Sequence, residues 1–470
     1  MLIDFTVSNW ACFKNEASHS MLASGERKHK EHLAMLPKCR DMKVLPVAAT
    51  FGANASGKSK LIEAMAFAKG FITNAAGMND LIPVRPFMFD KDSLRAPSTF
   101  SFTILVAETL FQYRFSVLAD RVVSEQLAEV LPKRNKVLFR RGPAPDADAG
   151  MPDADEFFLA SGLAEGQRLR MAFQGTRANQ LFLNNAIYQN IGVFLPVFNW
   201  FRDQLEIIDP GSSFIPVEQF VSQNSPLGPH IAKALNDLDT GIVDIQFREE
   251  PFSTAALHPA QVQNLENNLK EGMVIRFRQG KELLILSREG GELKMRRIVS
   301  IHRAADGREV HLPMSAESDG TLRLLDLLPA FFTLGDASAK KVYVIDELDR
   351  SLHPTLMEYL IRLFLQSAGA GTRSQILFTT HNMQLLTQDI FRRDEMWLVR
   401  RDSDGVSELV SFGDFKDIRF DKDIRKSYLE GRLGGIPHIS PRMALKPEPE
   451  IRAAELSEPS VAESQERGYA

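Results

Sequence analysis

The stretch that decides the fold is Gly52–Ser59, GANASGKS, which follows the apolar run VLPVAATF at 44–51. It fits the pattern G-x-x-x-x-G-K-[S/T], which binds phosphates when it lies between a strand and a helix. The apolar run predicts the strand, and residues 58–69, with Leu61 and Met65 on the apolar face, predict the helix. Glycine allows several backbone amides to face one concave side, and the helix N-terminus adds a positive dipole end. The stretch therefore predicts a loop that binds a polyphosphate.

Six residues of this loop are expected to contact the nucleotide, ATP: Gly52, Asn54, Ser56, Gly57, Lys58 and Ser59. In such loops the lysine reaches the β- and γ-phosphates, and the hydroxyl after it is a ligand of Mg²⁺. Lys58 and Ser59 are assigned these two roles.

A second motif, KVYVIDELDRSLHP, begins at Lys341 as a continuous apolar run and ends in carboxylates. Such a run is typical of a strand that is buried on both faces of a parallel sheet. We expect Asp346 to bind Mg²⁺ and Glu347 to orient and deprotonate the attacking water. Since neighbouring strand residues face opposite sides, the following loop must bring both carboxylates to the phosphates.

The acidic strand is followed by a helix predicted over 354–366 and by QILFTTHN, a further buried strand that ends at His381. A histidine at the end of a strand is usually a polar exit residue. The order of phosphate loop, acidic strand, helix, strand and histidine instead favours His381 as a sensor of the γ-phosphate.

Another helix start lies in SAESDGTLRLLDLLPAFF at 315–332. Ser318 and Gly320 stand at the beginning of an apolar helix, where backbone amides can bind an anion. The alternative is a simple N-cap formed by Ser318 or Asp319.

Composition narrows the classes of protein. The 470 residues carry 56 Lys and Arg against 60 Asp and Glu, a net charge of −4, so no global charge favours nucleic acid or membrane. The two cysteines, Cys12 and Cys39, form no metal-binding or disulfide pattern and fit a reducing compartment. With no signal peptide and no apolar run of eighteen residues, the chain is expected to be cytoplasmic and to make no use of a membrane.

The sequence as a whole predicts four regions. Residues 1–190 form the first part of a nucleotide-binding domain, with the phosphate loop and a β-meander over 86–141; 191–310 form an inserted α+β lid; 311–440 form the second part of that domain; and 441–470 form a disordered, Pro- and Glu-rich tail. Residues 171–205 are predicted to be mainly helical, and a further helix is predicted from Ile231.

Two other polar motifs are interpreted as solvated. His29 and His32 in HKEH have a spacing that a metal could use on a helix, but no third ligand is near in sequence, so a solvated loop is favoured. Asp394 and Glu395 in RRDEMWLV are interpreted as an exposed turn before a strand.

Together these motifs resemble the ABC-type head ATPases that include SMC proteins, RecF and the OLD nucleases. The similarity spans about 1–440 and is carried by FGANASGKSKLIEA, ESDGTLRLL, VIDELDRSLHP, FTTHN and IRKSYLEGRLGGIPHI. The last motif is similar to the abortive-infection branch, the stand-alone ATPases of the RloA and AbiL type. The implied fold is an α/β P-loop NTPase of the ABC-ATPase head type, with a β-meander lobe and an inserted α+β lid.

The resemblance also implies roles. Ser318–Gly320 would stand for the signature loop, which contacts ATP held by a second subunit, although the usual double glycine is missing. Ser351, Leu352 and His353 would form the D-loop, with His353 near the nucleotide, and His381 would be the switch histidine. Two heads would then close head-to-tail around two nucleotides and open after hydrolysis.

The function that these motifs imply is an ATP-hydrolysing switch that dimerises around nucleotide and controls an effector protein encoded nearby, in bacterial anti-phage defence. Nucleic acid is a possible trigger. About sixty residues separate His381 from the tail, too few for a TOPRIM domain, so we expect no nuclease domain in this chain. The alternatives are a RecF- or SMC-like DNA-repair ATPase and a slowly hydrolysing, ATP-bound scaffold that stores an effector.

Overall fold

The structure is a computed structural model that describes residues 1–36, 42–75, 77–142, 157–210, 228–250, 263, 269–271, 274–279, 282–415 and 424–435. The predicted tail at 441–470 lies outside the described residues, as do parts of the predicted lid. The strands, in chain order, are β1 (Leu2–Ser8), β2 (Ala17–Ser20), β3 (Ala34–Leu36), β4 (Met42–Val44), β5 (Val47–Phe51), β6 (Ser98–Val106), β7 (Thr109–Val117), β8 (Val122–Glu129), β9 (Lys136–Arg141), β10 (Phe157–Leu159), β11 (Leu205–Ile208), β12 (Ile242–Glu250), β13 (Val274–Gln279), β14 (Glu282–Glu289), β15 (Glu292–Arg303), β16 (Glu309–Pro313), β17 (Val342–Ile345), β18 (Gln375–Thr379), β19 (Met396–Arg401) and β20 (Ser407–Ser411).

The helices confirm the main helical predictions and correct one of them. Their bounds are α1 (Lys58–Thr73), α2 (Gly166–Gln174), α3 (Phe182–Tyr188), α4 (Leu195–Asn199), α5 (Gly228–Asp237), α6 (Asp319–Gly335), α7 (Pro354–Ser367) and α8 (Ile424–Leu429). The segment 171–205, predicted as mainly helical, consists of short helices separated by turns and ends in a π-helical turn at Trp200–Gln204.

The central sheet has the strand order β11-β17-β18-β5-β19-β20. Every pair in it is parallel except the hairpin between β19 and β20. Alternate residues of β5 enter two different cores: Ala48 packs with the apolar face of α1, while Val47 and Ala49 pack with α6 and α7. Because both faces are covered, the strands read as continuous apolar runs.

A second, antiparallel sheet covers the α1 side and has the order β10-β9-β8-β7-β6-β1-β2. It contains the predicted meander, joined through β6 to the N-terminal strand. Its inner face carries stacked aromatic side chains, among them Phe5, Phe100, Phe102 and Phe115, in the same core as the apolar face of α1. The meander therefore supports the helix that begins at the phosphate loop.

A third sheet lies in the predicted lid region and is also antiparallel, with β12, β15, β14 and β13 in order and β16 paired to β15. Helix α5 packs on it through Ile231 and Leu235. Strand β11 falls in the same part of the sequence, 191–310, yet it pairs with β17 in the central sheet. The sequence predicted no strand at 205–208.

Candidate nucleotide-binding site

The central sheet brings the predicted motifs to one edge. Strands β5, β17 and β18 are parallel and in register, so Phe51, Ile345 and Thr379 end at the same side of the sheet. The carboxyl ends of parallel strands are where α/β sheets bind ligands. The phosphate loop, the acidic pair and His381 each begin within two residues of these ends.

The loop at Gly52–Ser59 has no room for a side chain at either of its two glycines. Gly52 has φ of +150°, and a side chain there would lie 2.4 Å from the Val399 carbonyl oxygen. Gly57 has φ of +117°, and a side chain there would lie 2.7 Å from the Cys12 sulfur. The Ser407 hydroxyl also donates to the Ser56 carbonyl oxygen at 2.6 Å. The loop is thus held from beneath by β19, β20 and the segment after β1.

Lys58 is buried at the start of α1, with its ammonium folded over its own loop. Its Nζ donates to the carbonyl oxygens of Gly52 at 2.8 Å and Ala53 at 3.0 Å. Burial lowers the pKa of Lys58 to about 8, while the carboxylates of Asp346, Asp349 and Glu347 act to raise it. The cation therefore lies near both members of the acidic pair, in a place where a phosphate would compensate its lost hydration.

The other loop residues differ in exposure. Asn54 is exposed and Ser59 is half-buried, while the Ser56 hydroxyl is buried and has no hydrogen-bond partner in the described structure. A buried hydroxyl and a buried ammonium beside a glycine cradle are suited to phosphate oxygens. The residues present fit a chain of phosphates, such as that of a nucleoside triphosphate.

The acidic pair is positioned by one threonine. The Thr379 hydroxyl donates to Asp346 Oδ1 and accepts from the Glu347 backbone N–H at 2.8 Å. Glu347 has φ of +48°, which breaks the strand alternation that would send the two side chains to opposite faces. Asp346 is buried and Glu347 is half-buried. The positive φ of Glu347 thus allows two adjacent carboxylates to lie at the same edge of the sheet.

His381 is exposed, and its backbone N–H donates to Asp349 Oδ2 at 3.0 Å. The histidine segment is thereby tied to the loop that follows the acidic strand. His353 caps α7, with Nδ1 accepting from the Thr355 N–H at 3.3 Å, and its side chain is exposed.

Ser318 caps α6 by accepting from the Thr321 N–H at 3.0 Å, as the N-cap interpretation expects, and it is exposed. Gly320 is packed against the predicted D-loop: a side chain there would lie 2.7 Å from the Ser351 carbonyl oxygen. Ser351 itself has φ of +61°. The predicted signature and D-loop segments therefore contact each other within one chain. Ser318 serves as the N-cap of α6, so its anion-binding role stays a prediction.

Two charged residues at this edge were not singled out from the sequence. Asp209 follows β11 directly, beside Asp346, and burial raises its pKa, with Asp346 and Glu63 acting in the same direction. Arg323 on α6 is buried, and its Nε and Nη2 atoms have no hydrogen-bond partner in the described structure. LEIID ends in an acid as VYVID does, and that similarity could have revealed Asp209.

Two interpretations of polar motifs were wrong. Asp394 and Glu395 are buried, not exposed: Asp394 pairs with Arg392 at 2.7 Å. His32 is also buried, at 3% exposure, and its Nε2 lies 3.0 Å from Glu395 Oε1. The partners come from opposite ends of the chain, so local sequence made both segments look solvated.

A magnesium ion would be held by Ser59 and Asp346 together with phosphate oxygens and water, the oxygen ligands that it prefers. Among the residues that the structure describes, no three His, Cys, Asp or Glu side chains are grouped to hold a metal ion. Among the helices that the structure describes, none has the length and apolarity needed to cross a membrane.

The chain matches a family model and is similar to solved SMC head domains. A family model described as "AAA domain, putative AbiEii toxin, Type IV TA system" matches residues 48–387. No curated protein matches the chain. Among solved structures, the SMC head domain from Thermotoga maritima is 12% identical with a TM-score of 0.35, covering 87% of this chain and 98% of that one. An SMC head bound to the C-terminal winged-helix domain of ScpA is 13% identical with a TM-score of 0.37, covering 87% and 97%.

The two SMC heads are too distant to assign an activity. The family model is different, because it covers well over half of the chain and includes the phosphate loop, Ser318, the acidic pair and His381. The protein has a P-loop NTPase fold and belongs to this family of AAA domains.

Proposed function

We propose that the protein is an ATPase switch: it binds ATP and Mg²⁺, closes head-to-tail with a second copy around two nucleotides, and reopens after hydrolysis. The observation that carries this is the meeting of three strand ends, which brings the phosphate loop with its buried Lys58 and the carboxylates of Asp346 and Glu347 to one edge of the sheet. A glycine cradle, a buried cation and a carboxylate pair are the parts that phosphoryl transfer to water requires.

Each residue then has a role. Lys58 binds the β- and γ-phosphates, and Ser59 and Asp346 would hold Mg²⁺, which would supply positive charge to the phosphates. Glu347 accepts a proton from the attacking water, and Thr379 fixes the backbone that carries it. His381 senses the γ-phosphate from the neighbouring strand end.

The second copy supplies the rest of the site. Ser318 is exposed at the N-terminus of the seventeen-residue helix α6, a position suited to an anion from outside the chain. Gly320 rests on the Ser351 carbonyl, so a phosphate that binds Ser318 in one copy also presses on the D-loop of that copy. This contact would couple closure to the acidic strand, which leads directly into the D-loop.

The biological role is proposed to be bacterial anti-phage defence of the abortive-infection type, through an effector protein encoded nearby. The family description names a toxin and a type IV toxin–antitoxin system, and the motifs resemble the RloA and AbiL branch. The protein would act in the cytoplasm, where its free thiol at Cys12 stays reduced, and nucleic acid is one possible trigger.

The test is to slow hydrolysis without weakening ATP binding. Glu347→Gln removes the base but preserves the size of the side chain, so the ATP-bound dimer is expected to accumulate. Size-exclusion chromatography with light scattering, with and without Mg-ATP, measures it, and Glu358→Gln on α7 is a control carboxylate away from the acidic pair. A Glu347→Gln protein that stays as monomeric as the wild type in ATP would contradict the proposal.

A further inference from the structure

We propose that Phe89 and Arg401 form a shelf that stacks the purine base of the nucleotide. This proposal rests on the proposed function, since it assigns the nucleoside end of the same site. The shelf is a place of contact for a flat aromatic ring, formed by an exposed phenyl ring and a guanidinium group beside the phosphate loop.

The strand order gives the direction of the nucleotide. Its γ-phosphate end must face Asp346 and Glu347, which follow β17, on one side of β5. The nucleoside end must therefore leave the loop on the other side of β5, where β19 and β20 lie. Arg401 is the last residue of β19, so it stands on the side where the base must lie.

Arg401 connects this side directly to the phosphate loop. Its Nη1 donates to the carbonyl oxygen of Ala55 at 3.4 Å, and its Nε donates to the carbonyl oxygen of Gly405 at 3.1 Å. Its guanidinium carbon lies 5.6 Å from the centre of the Phe89 ring, within the range of a cation–π contact. A hydrogen bond thus connects the shelf to the phosphate loop.

Phe89 is open to solvent although its segment is anchored. The ring is 70% exposed, while Phe87, two residues earlier, is buried and contacts it with ring centres 5.6 Å apart. The Phe87 N–H donates to Asn9 Oδ1 at 3.1 Å, and Asp90 pairs with Lys14 at 3.5 Å. The residues on either side of Phe89 in the sequence are thus anchored, while its own ring is exposed and available to stack on a ligand.

The turn after β19 also leaves space for this ring. Gly405 has φ of +80°, and a side chain there would lie 3.4 Å from the Phe89 ring and 3.1 Å from Arg401 Nη2. A side chain there would be in ordinary contact with the ring and tight only against the flexible end of Arg401. The positive φ is the feature that favours glycine at this position.

Stacking defines the class of ligand. Phenyl rings and guanidinium planes stack on the face of any base, and purines offer the larger face. Since neither Phe89 nor Arg401 is placed here to read a base edge, the shelf should take adenine and guanine with similar strength. It contributes affinity for the nucleoside and none for the triphosphate chain.

The experiment compares Mg-ATP with Mg-tripolyphosphate by calorimetry. Phe89→Ala is expected to weaken ATP binding about 5- to 100-fold, the range for loss of one base stack, and to leave tripolyphosphate binding unchanged. Phe89→Tyr, which retains the ring, should bind ATP like the wild type. Met88→Ala, at a neighbouring side chain that is 75% exposed, is the matched control and should have no effect.

Two results would overturn the shelf. One is wild-type ATP affinity in Phe89→Ala at an unchanged melting temperature; the other is an equal loss of ATP and tripolyphosphate binding, which would mean that Phe89 only supports the phosphate loop. Both differ from failure of the proposed function, in which the wild-type protein itself binds no ATP.

Discussion

Two groups of charged side chains in this molecule have similar compositions and different hydrogen-bond partners. The phosphate cluster consists of Lys58, Asp346 and Glu347; the anchor cluster consists of His32, Arg392, Asp394 and Glu395. In the anchor cluster, Arg392 makes two bonds to Asp394, at 2.7 and 2.9 Å, and donates to the carbonyl oxygens of Ser24, Glu26 and Lys28.

The two carboxylates of the anchor cluster differ, because both oxygens of Asp394 accept hydrogen bonds while Glu395 Oε1 only lies near His32 Nε2, at 3.0 Å. Asp394 also accepts from the N–H and the hydroxyl of Ser24, both at 2.7 Å, and Glu395 accepts from the Arg392 N–H at 2.8 Å. In the phosphate cluster, by contrast, the Lys58 ammonium bonds to two carbonyls of a loop that also contains the unpartnered Ser56 hydroxyl. The Arg392–Asp394 pair is bonded within the protein and stabilises the fold, whereas a cation that bonds only to carbonyls of a glycine-bearing loop is available to a ligand.

The largest expected effect is on the anchor cluster. Arg392→Ala should lower the free energy of unfolding by about 3–5 kcal/mol, because it leaves the Asp394 carboxylate buried without its cation. Chemical denaturation measures the change. The control is Arg202→Ala, which removes an exposed ion pair with Asp203 and should leave stability unchanged. A small loss for Arg392→Ala would show that the two clusters do not differ in this way.

The phosphate cluster should respond in the opposite sense. Lys58→Met removes a buried ammonium whose hydration is lost, so thermal stability should stay the same or rise, while ATP affinity falls about 100-fold through lost charge-assisted bonds to phosphate. Calorimetry and thermal denaturation measure the two effects. Lys60→Met, which removes a half-exposed ammonium paired with Glu63 on the same helix, is the control. Unchanged ATP affinity would remove Lys58 from the site.

The smallest effect is the pH dependence of ATP binding. In the free protein the pKa of Lys58 is lowered to about 8, and phosphate charge must raise it, so the protonated form binds more tightly. Affinity should be highest below pH 8 and about tenfold weaker at pH 9, with proton uptake on binding near pH 8.5. Calorimetry in buffers of different ionisation enthalpy measures the uptake. Binding without proton uptake in that range would contradict the lowered pKa.

The contrast also explains what the sequence could predict. The phosphate loop, the acidic strand and the strand before His381 are contiguous motifs, and their strand and helix patterns decide where they meet. The anchor cluster is bonded to residues about 370 positions away in the chain, as Asp394 is to Ser24, so its burial was predicted wrongly. The shelf of Phe89 and Arg401 has the same long-range character.

Strand β11 was missed for a different reason. Its four residues, LEII, follow directly on helical and π-helical turns, and the strand is fixed by pairing with β17 rather than by its own pattern. Asp209, which it places beside Asp346, was missed with it. Short strands that complete a parallel sheet depend on their neighbours more than on local propensity.

The central claim, that each ATP is held by the phosphate loop of one copy and Ser318 of another, is tested most directly by mixing two inactive variants. Lys58→Met lacks the phosphate contact; Ser318→Asp replaces the capping hydroxyl with a carboxylate that can still cap α6 but repels a phosphate, and Ser318→Asn is its neutral control. Each inactive variant alone should show almost no ATP hydrolysis, and an equal mixture should regain it, since mixed dimers contain one intact site. A mixture as inactive as its two components, while Ser318→Asn remains active, would contradict the claim.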